Sequence, residues 1–222
     1  MPAAQMVSAN EAAALAMIGV RDVHRAFDER LLPEALLGAA GGGRQVARSA
    51  VPLLAFYFRT AGILQADARK AVIHLVAAGG RTGALRRVAA LRRHRRPLPV
   101  GEGVSANLWP FIAETDARAR LLEQARAMVS SDPDVLGGAE PVVRGTRVPV
   151  RDVAAAVAAG LPLADILASY PSLLPEQVEL ASLYASVERP RGKPSRPLAE
   201  RLPPGARPLS SGTGRRPVAP EA

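Results

Sequence analysis

GGAEPVVRGTRVPV, residues 137–150, decides how this chain folds. Pro141 and Pro149 bracket Val142-Val143 and the triplet Arg144-Gly145-Thr146. That pattern predicts two short extended pieces, with Gly145 at positive φ in the turn between them. Helix-period sequence follows from Val150 to Ala159, and Gly160 stops it. LPLADILASYP (161–171) and LLPEQVELASLYA (173–185) predict two more short helices, each with a proline at its start. The stretch is therefore a short β-hairpin followed by three helices.

Working outward, Asp132-Pro133, Gly137-Gly138, Pro141, the run Arg144 through Val150, Gly160, Ile166-Leu167, Tyr170-Pro171 and Tyr184-Ala185 together resemble the DUF433 family. The resemblance covers about a quarter of the chain. Ala139-Glu140 stands where that family usually has one residue before the proline, which lengthens the approach to the hairpin. The resemblance implies a trihelical, winged-helix-like domain of the VapB antitoxin type. Its expected partner is a PIN-like ribonuclease toxin that holds Mg²⁺ with clustered carboxylates.

The N-terminal stretch VSANEAAALAMIGVRDVHRAFDERLLP (7–33) has a different logic. Ser8 and Glu11 predict a capping box at a helix start. Ala12, Ala13, Leu15 and Ala16 give that helix a small apolar face, and Gly19 is expected to break it. A second helix is expected over 21–30, with Val20, Val23 and Phe27 on its inner side. Helix, short glycine turn and helix form a helix-turn-helix signature. The segment resembles the helix-turn-helix of MerR-like and excisionase-like DNA binders, in which Ala-Ala-x-Leu precedes a Gly-Val turn and a Val-x-Arg helix. Its candidate DNA-binding residues are Arg21, Asp22, His24 and Arg25, with the arginines suited to guanine edges and phosphates. A plain helical hairpin with a solvated charged face is the competing reading.

Gly41–Gly43 reads as a hinge, since no strand precedes it and no Gly-Lys-Ser/Thr follows to make a phosphate loop. Helices are expected in PLLAFYFRTAGI (52–63) and LQADARKAVIHLVAAGG (64–80). Phe56, Tyr57, Phe58, Ile63 and Leu64 are expected in the core or in a dimer seam, and His74 as a packing residue. RTGALRRVAALRRHRR (81–96) holds seven arginines and no acid. It reads equally as a solvated helix end or as a second phosphate-contacting surface. In the lead-in to the DUF433-like segment, Trp109, Phe111 and Ile112 suggest a short strand or a packing segment, and Pro110 limits a strand there to an edge. Thr115 and Asp116 are expected to cap the helix that runs to Met128.

The C-terminal 36 residues from Val187 carry eight prolines and eight Lys/Arg against three Glu. Such a segment cannot bury enough apolar surface to offset its ordering entropy, so a disordered basic tail is expected. By the antitoxin resemblance, Arg189, Arg191, Lys193, Arg196 and Arg201 would pair with a toxin's carboxylates. Leu198 and Leu202 would fill its substrate groove.

The net charge of the 222-residue chain is +9, which points to an anionic partner, and it has no cysteine, which removes disulfides, thiolate nucleophiles and Cys-based zinc sites. His24, His74 and His94 show no ligand spacing, and Asp132 and Asp134 form an ordinary Asp-Pro-Asp turn. No catalytic constellation stands out, so a non-enzyme without cofactor or metal is expected. No export signal or membrane span is evident, and a cytoplasmic location follows.

The expected fold is mainly α, with a helical DNA-binding domain over 1–100, a DUF433-like domain over 104–186 and the tail over 187–222. The leading expectation is an antitoxin that neutralises a PIN-like ribonuclease and represses its own operon, as a homodimer and in a hetero-oligomer with toxin. The alternative is a stand-alone helix-turn-helix regulator. An RNA-binding accessory protein is disfavoured by the 4% aromatic content, which leaves few rings for base stacking.

Overall fold

The computed structural model describes residues 5–40, 42–131 and 140–188. The chain divides into two units, Met1–Arg189 and Pro190–Ala222, and the described residues all lie in the first. Among them the class is mainly α, with short antiparallel sheets of two or three strands.

The N-terminal elements run β1 (Met6–Ser8), α1 (Ala9–Ala16), α2 (Val20–Asp28), β2 (Leu37–Ala40) and β3 (Gly43–Ala47). The Ser8 hydroxyl accepts from the Glu11 amide at 3.2 Å and so starts α1. The predicted capping box is only half made, because the Glu11 carboxylate turns instead to Arg126. Helix α1 ends before Gly19: Met17 takes the left-handed conformation at φ 53°, and the Ile18 amide donates to the Ala13 carbonyl at 3.1 Å. That is a Schellman ending with a non-glycine residue in the left-handed position. Gly19 instead precedes α2 at φ −70°, and its amide donates to Asp22 Oδ2 at 3.2 Å.

The Gly41–Gly43 hinge expected from sequence is a correction. Ala40 pairs with Gly43 and Leu37 with Val46, so β2 and β3 form a hairpin, with Gly42 at φ 76° between them. β3 also pairs with β1, giving the strand order β1-β3-β2. Neither strand has an alternating apolar pattern in sequence. The pairing is set by Val7 and Val46, both buried against α1.

Helices α3 (Val51–Arg59), α4 (Ala66–Ala77) and α5 (Gly80–His94) follow, then a small hairpin of β4 (Leu98–Gly101) and β5 (Val104–Ala106). Phe56 and Tyr57 are buried, but Ile63 is 83% exposed, so the expected aromatic-aliphatic cluster splits. His74 is a second correction. It lies opposite the Val72, Ile73 and Val76 stripe of α4 and is exposed. Arg69 is the buried charge of α4. Its Nη1 donates to the Tyr57 carbonyl at 2.6 Å and its guanidinium stacks 4.4 Å from that ring. It thereby satisfies a carbonyl near the end of α3.

Helix α6 (Trp109–Met128) replaces the short strand or packing segment expected there. Pro110 sits in its first turn, where the missing amide has no intrahelical partner to lose. The Asn107 side chain accepts from the Trp109 amide at 3.1 Å. Thr115 is not a cap. It is buried in mid-helix, and its hydroxyl donates back to the Phe111 carbonyl at 2.8 Å. At about 30 Å, α6 is the spine of this unit. Its Ile112, Ala119 and Leu122 join the first core with residues of α1–α5 and with Leu183 and Val187.

The last elements are β6 (Val129–Ser130), β7 (Val142–Val143), α7 (Val150–Ala158), α8 (Leu163–Ser169) and α9 (Pro175–Val187). Val143, Val150, Val153, Ile166, Leu173, Val178 and Ala181 form a second core. Helix α9 serves both cores from different faces and continues through Val187.

Candidate nucleic-acid interface

Three residues, Met17 to Gly19, join α1 to α2, and the β2–β3 hairpin follows α2. Val23 and Ala26 of α2 are buried on α1 and α3, which leaves the opposite face to solvent. Of the four candidate DNA-binding residues, Arg21 is exposed, with no ion pair or side-chain hydrogen bond among the described residues. Arg25 is half exposed. It lies 3.5 Å from Asp22 and 3.7 Å from Glu29, with its guanidinium 4.8 Å from the Phe58 ring. Asp22 is occupied in shaping the helix start. The His24 side chain is half-buried, and its carbonyl accepts from Arg44 at 2.9 Å.

Arg44 is the residue that sequence reading missed. It stands on β3, pairs with Asp28 at 2.7 Å and stacks 5.2 Å from the Phe27 ring. It clamps the hairpin to the C-terminal half of α2. Within α2, Arg21 and Arg25 are balanced by Asp22 and Asp28, so the helix has no net charge. Any strong attraction for phosphate must come from elsewhere on the chain.

Helix α5 offers such a surface. Arg92 makes a two-bond pair with Asp116 at 2.8 Å for each bond, Arg87 donates to the Ala78 carbonyl at 3.1 Å, and Arg95 stacks 4.4 Å from Trp109. Arg86, Arg93 and Arg96 are exposed and make no ion pair among the described residues. The helix and its C-terminal turn thus divide their arginines between holding the fold and facing solvent.

In the stretch after β6, Gly145 has φ 77° and the Val143 amide donates to the Val148 carbonyl at 2.9 Å, as the hairpin reading expects. Thr146 ties this turn: its hydroxyl donates to the Val143 carbonyl at 2.8 Å and accepts from the Val148 amide at 3.1 Å. β7 also pairs with β6, at Val129↔Val143, which the sequence pattern does not signal. Gly160 at φ 76° ends α7 in a Schellman motif, with the Leu161 amide on the Ala156 carbonyl at 3.2 Å.

Residues 129–185 match the DUF433 family, described as a protein of unknown function. The chain is also 43% identical over 195 residues to the uncharacterized protein y4eO of Sinorhizobium fredii (strain NBRC 101917 / NGR234), covering 87% of this chain and 86% of that protein. The chain belongs to the y4eO family. No solved structure matches it.

The likeness to y4eO extends well beyond the DUF433 segment, so this family member shares with it more than the hairpin and three helices. The seven tail residues Arg189, Arg191, Lys193, Arg196, Leu198, Arg201 and Leu202, and the turn at Asp132 and Asp134, lie outside the described residues. No helix among the described residues is long and apolar enough to cross a membrane.

Proposed function

We propose that this protein is a DNA-binding regulator of the antitoxin type. The observation that carries the DNA-binding half is the order β1-α1-α2-β2-β3, with a three-residue turn between the helices and Arg44 fixing the hairpin beside α2. We read this order as a winged helix-turn-helix. In such folds the second helix enters the major groove and its first residues face base edges. Here that places Arg21 and Arg25 at the bases or flanking phosphates, with Asp22 holding the helix start. Because α2 is electrically balanced, Arg86 and Arg93 on α5 and Arg96 just after it supply the phosphate attraction.

The antitoxin half rests on the DUF433 resemblance and the basic composition of the tail. Arginines from 189 onward would occupy the carboxylate cluster of a PIN-like ribonuclease and displace its metal. Operator binding as a dimer with half-sites about one helical turn apart would let the complex repress its own transcription.

Two measurements test the two halves separately. The purified chain should shift a fragment carrying the promoter of its own operon, and Arg21→Ala should abolish the preference over unrelated DNA. If wild type binds both fragments alike, the operator reading fails. Co-expression with the product of the adjoining reading frame should give a complex whose Mg²⁺-dependent RNA cleavage is suppressed. A frame product that cleaves RNA equally with and without this chain leaves the stand-alone regulator as the reading.

A further inference from the structure

Between Arg151 and Arg189 the sequence has no Lys, Arg or His, although Lys and Arg number 29 in the whole chain. The same 37 residues hold five carboxylates: Asp152, Asp165, Glu176, Glu179 and Glu188. Asp152 pairs with Arg151 and Glu188 with Arg126, which leaves Asp165, Glu176 and Glu179 exposed and without an ion pair among the described residues.

An open groove of about 490 Å³ lies between α7, α8 and α9. Ile166 and Val178, both buried, form its floor. One wall is Leu161 and Leu163, which are 49% and 48% exposed although they flank the buried second core. The Schellman ending of α7 fixes this wall, because Gly160 turns the chain so that Leu161 projects beside α8. On α9, Glu176 and Glu179 stand three residues apart on one helix face at the groove's edge, exposed and without an ion pair among the described residues. From Pro175 to Ser182 the groove follows about two turns of α9.

We infer that this groove docks a cationic amphipathic segment of a partner protein, with two aliphatic side chains about one helical turn apart and Lys or Arg beside them. The apolar floor and leucine wall take the aliphatic side chains, and Glu176 and Glu179 pair with the cations at the rim. This is the helix-in-groove mode, in which apolar anchors give affinity and rim charges give selectivity. Face-to-face pairing with a second copy of this chain is disfavoured, because it sets Glu176 and Glu179 of one groove against the same carboxylates of the other. A small polar ligand is disfavoured because the lining offers few convergent polar groups. This docking chemistry is independent of whether the N-terminal half binds DNA or the tail binds a nuclease.

The test is fluorescence anisotropy of the full chain with a labelled fourteen-residue helical probe carrying leucines at i and i+4 flanked by lysines. Wild type should bind this probe at least about tenfold more tightly than a probe with serine for leucine or glutamate for lysine. Glu176→Lys combined with Glu179→Lys should lose about tenfold in affinity. Ser182→Trp, which fills the groove without changing its charge, should lose a similar factor. All three substituted positions lie outside the buried cores, and circular dichroism checks that the variants fold. Equal binding of leucine and serine probes, or unchanged binding by the variants, overturns the inference. A wild-type dimer that Ser182→Trp dissociates, with no probe binding, assigns the groove to a second copy and overturns it as well.

Discussion

Arg126 of α6 places Nη2 2.8 Å from Glu11 Oε2 on α1 and 3.1 Å from Glu188 Oε1 after α9. One guanidinium therefore ties the start of the helical pair to the residue that follows α9. The hydrogen bond to Glu11 does most to raise the Arg126 pKa above its ordinary value, while burial opposes it. Other pairs of α6 repeat the pattern: Glu123 with Arg48, Glu114 with Arg59 and Asp116 with Arg92.

Arg126→Ala should cost about 1–2 kcal/mol, because the Glu11 side chain is only 12% exposed and is left without its partner. Arg126 is itself partly exposed, so solvent screening keeps the figure at the low end. Glu188→Gln should cost less than about 0.5 kcal/mol, since that carboxylate is 44% exposed. Urea unfolding of the two variants and of their combination with Glu11→Gln separates the bonds. Equal losses for Arg126→Ala and Glu188→Gln would contradict the assignment of Glu11 as the principal partner.

Met17 and Arg30 both sit at positive φ, 53° and 51°, at the ends of α1 and α2. Each L side chain there meets its own backbone, which glycine does not. Met17→Gly and Arg30→Gly should each stabilise the fold by about 0.5–1 kcal/mol, reduced by the greater freedom glycine gives the unfolded chain. Gly160→Ala makes the reverse change at φ 76° and should destabilise by a similar amount. Thermal unfolding checks the three signs together, and a loss of stability in Met17→Gly would contradict the assigned ending of α1.

Legibility followed local chemistry. Gly145, Gly160, Pro162 and Pro175 fix turns or helix starts through their own backbone restrictions, so the hairpin and three helices were readable residue by residue. Ser8 marked α1 for the same reason. The β2–β3 hairpin was not readable, because Gly38, Ala39 and Ala40 have no strand pattern and pair only when β1 and α1 supply the surroundings. Pro110 is equally compatible with an edge strand and a first helical turn, and only the long apolar face of α6 decides between them. The division of arginines on α5 was hidden because Asp116, Trp109 and the end of α4 reach them through tertiary packing. Beside α2, the role of Arg44 was not readable because its partner Asp28 is sixteen residues away.

Thr146→Val keeps the shape of the RGTR turn but removes both hydroxyl bonds. The Val148 amide loses its acceptor and the Val143 carbonyl loses one donor, for an expected cost of about 1–2 kcal/mol. Thr146→Ser keeps the hydroxyl and should lose less than half of that. Hydrogen exchange at the Val148 amide should quicken in the valine variant and stay near wild type in the serine variant. An unchanged rate in Thr146→Val would show that the hydroxyl does not hold this amide.

Burial raises the Tyr184 phenol above its ordinary value, and Glu188 adds to the rise while Arg126 opposes it. The folded pKa therefore exceeds the unfolded one, near 10.0. The folded state keeps the proton after the unfolded state has released it. The resulting stability is fully present below the unfolded value and is lost as pH rises through the folded value. Wild type and Tyr184→Phe should keep a constant difference in stability from pH 7 to about 9. Above that, wild type should fall faster than the variant. Urea titrations across this range read the difference directly, and parallel curves up to about pH 11 would show that Tyr184 ionises alike in both states.

Arg86, Arg93 and Arg96 are expected to contact phosphate, whereas Arg87, Arg92 and Arg95 are held by the fold. Replacing the first three with alanine should lower the slope of log K against log salt by about 2.7, at about 0.9 for each phosphate no longer neutralised. The same protein should keep its preference for operator over unrelated DNA, because Arg21 and Arg25 are intact. Arg92→Ala should instead lower stability by breaking the Asp116 pair and leave the slope unchanged. Anisotropy titrations from about 50 to about 300 mM salt distinguish these outcomes. A slope that stays at the wild-type value in the triple variant removes Arg86, Arg93 and Arg96 from the interface, and the attraction for DNA must then come from other cations of the chain.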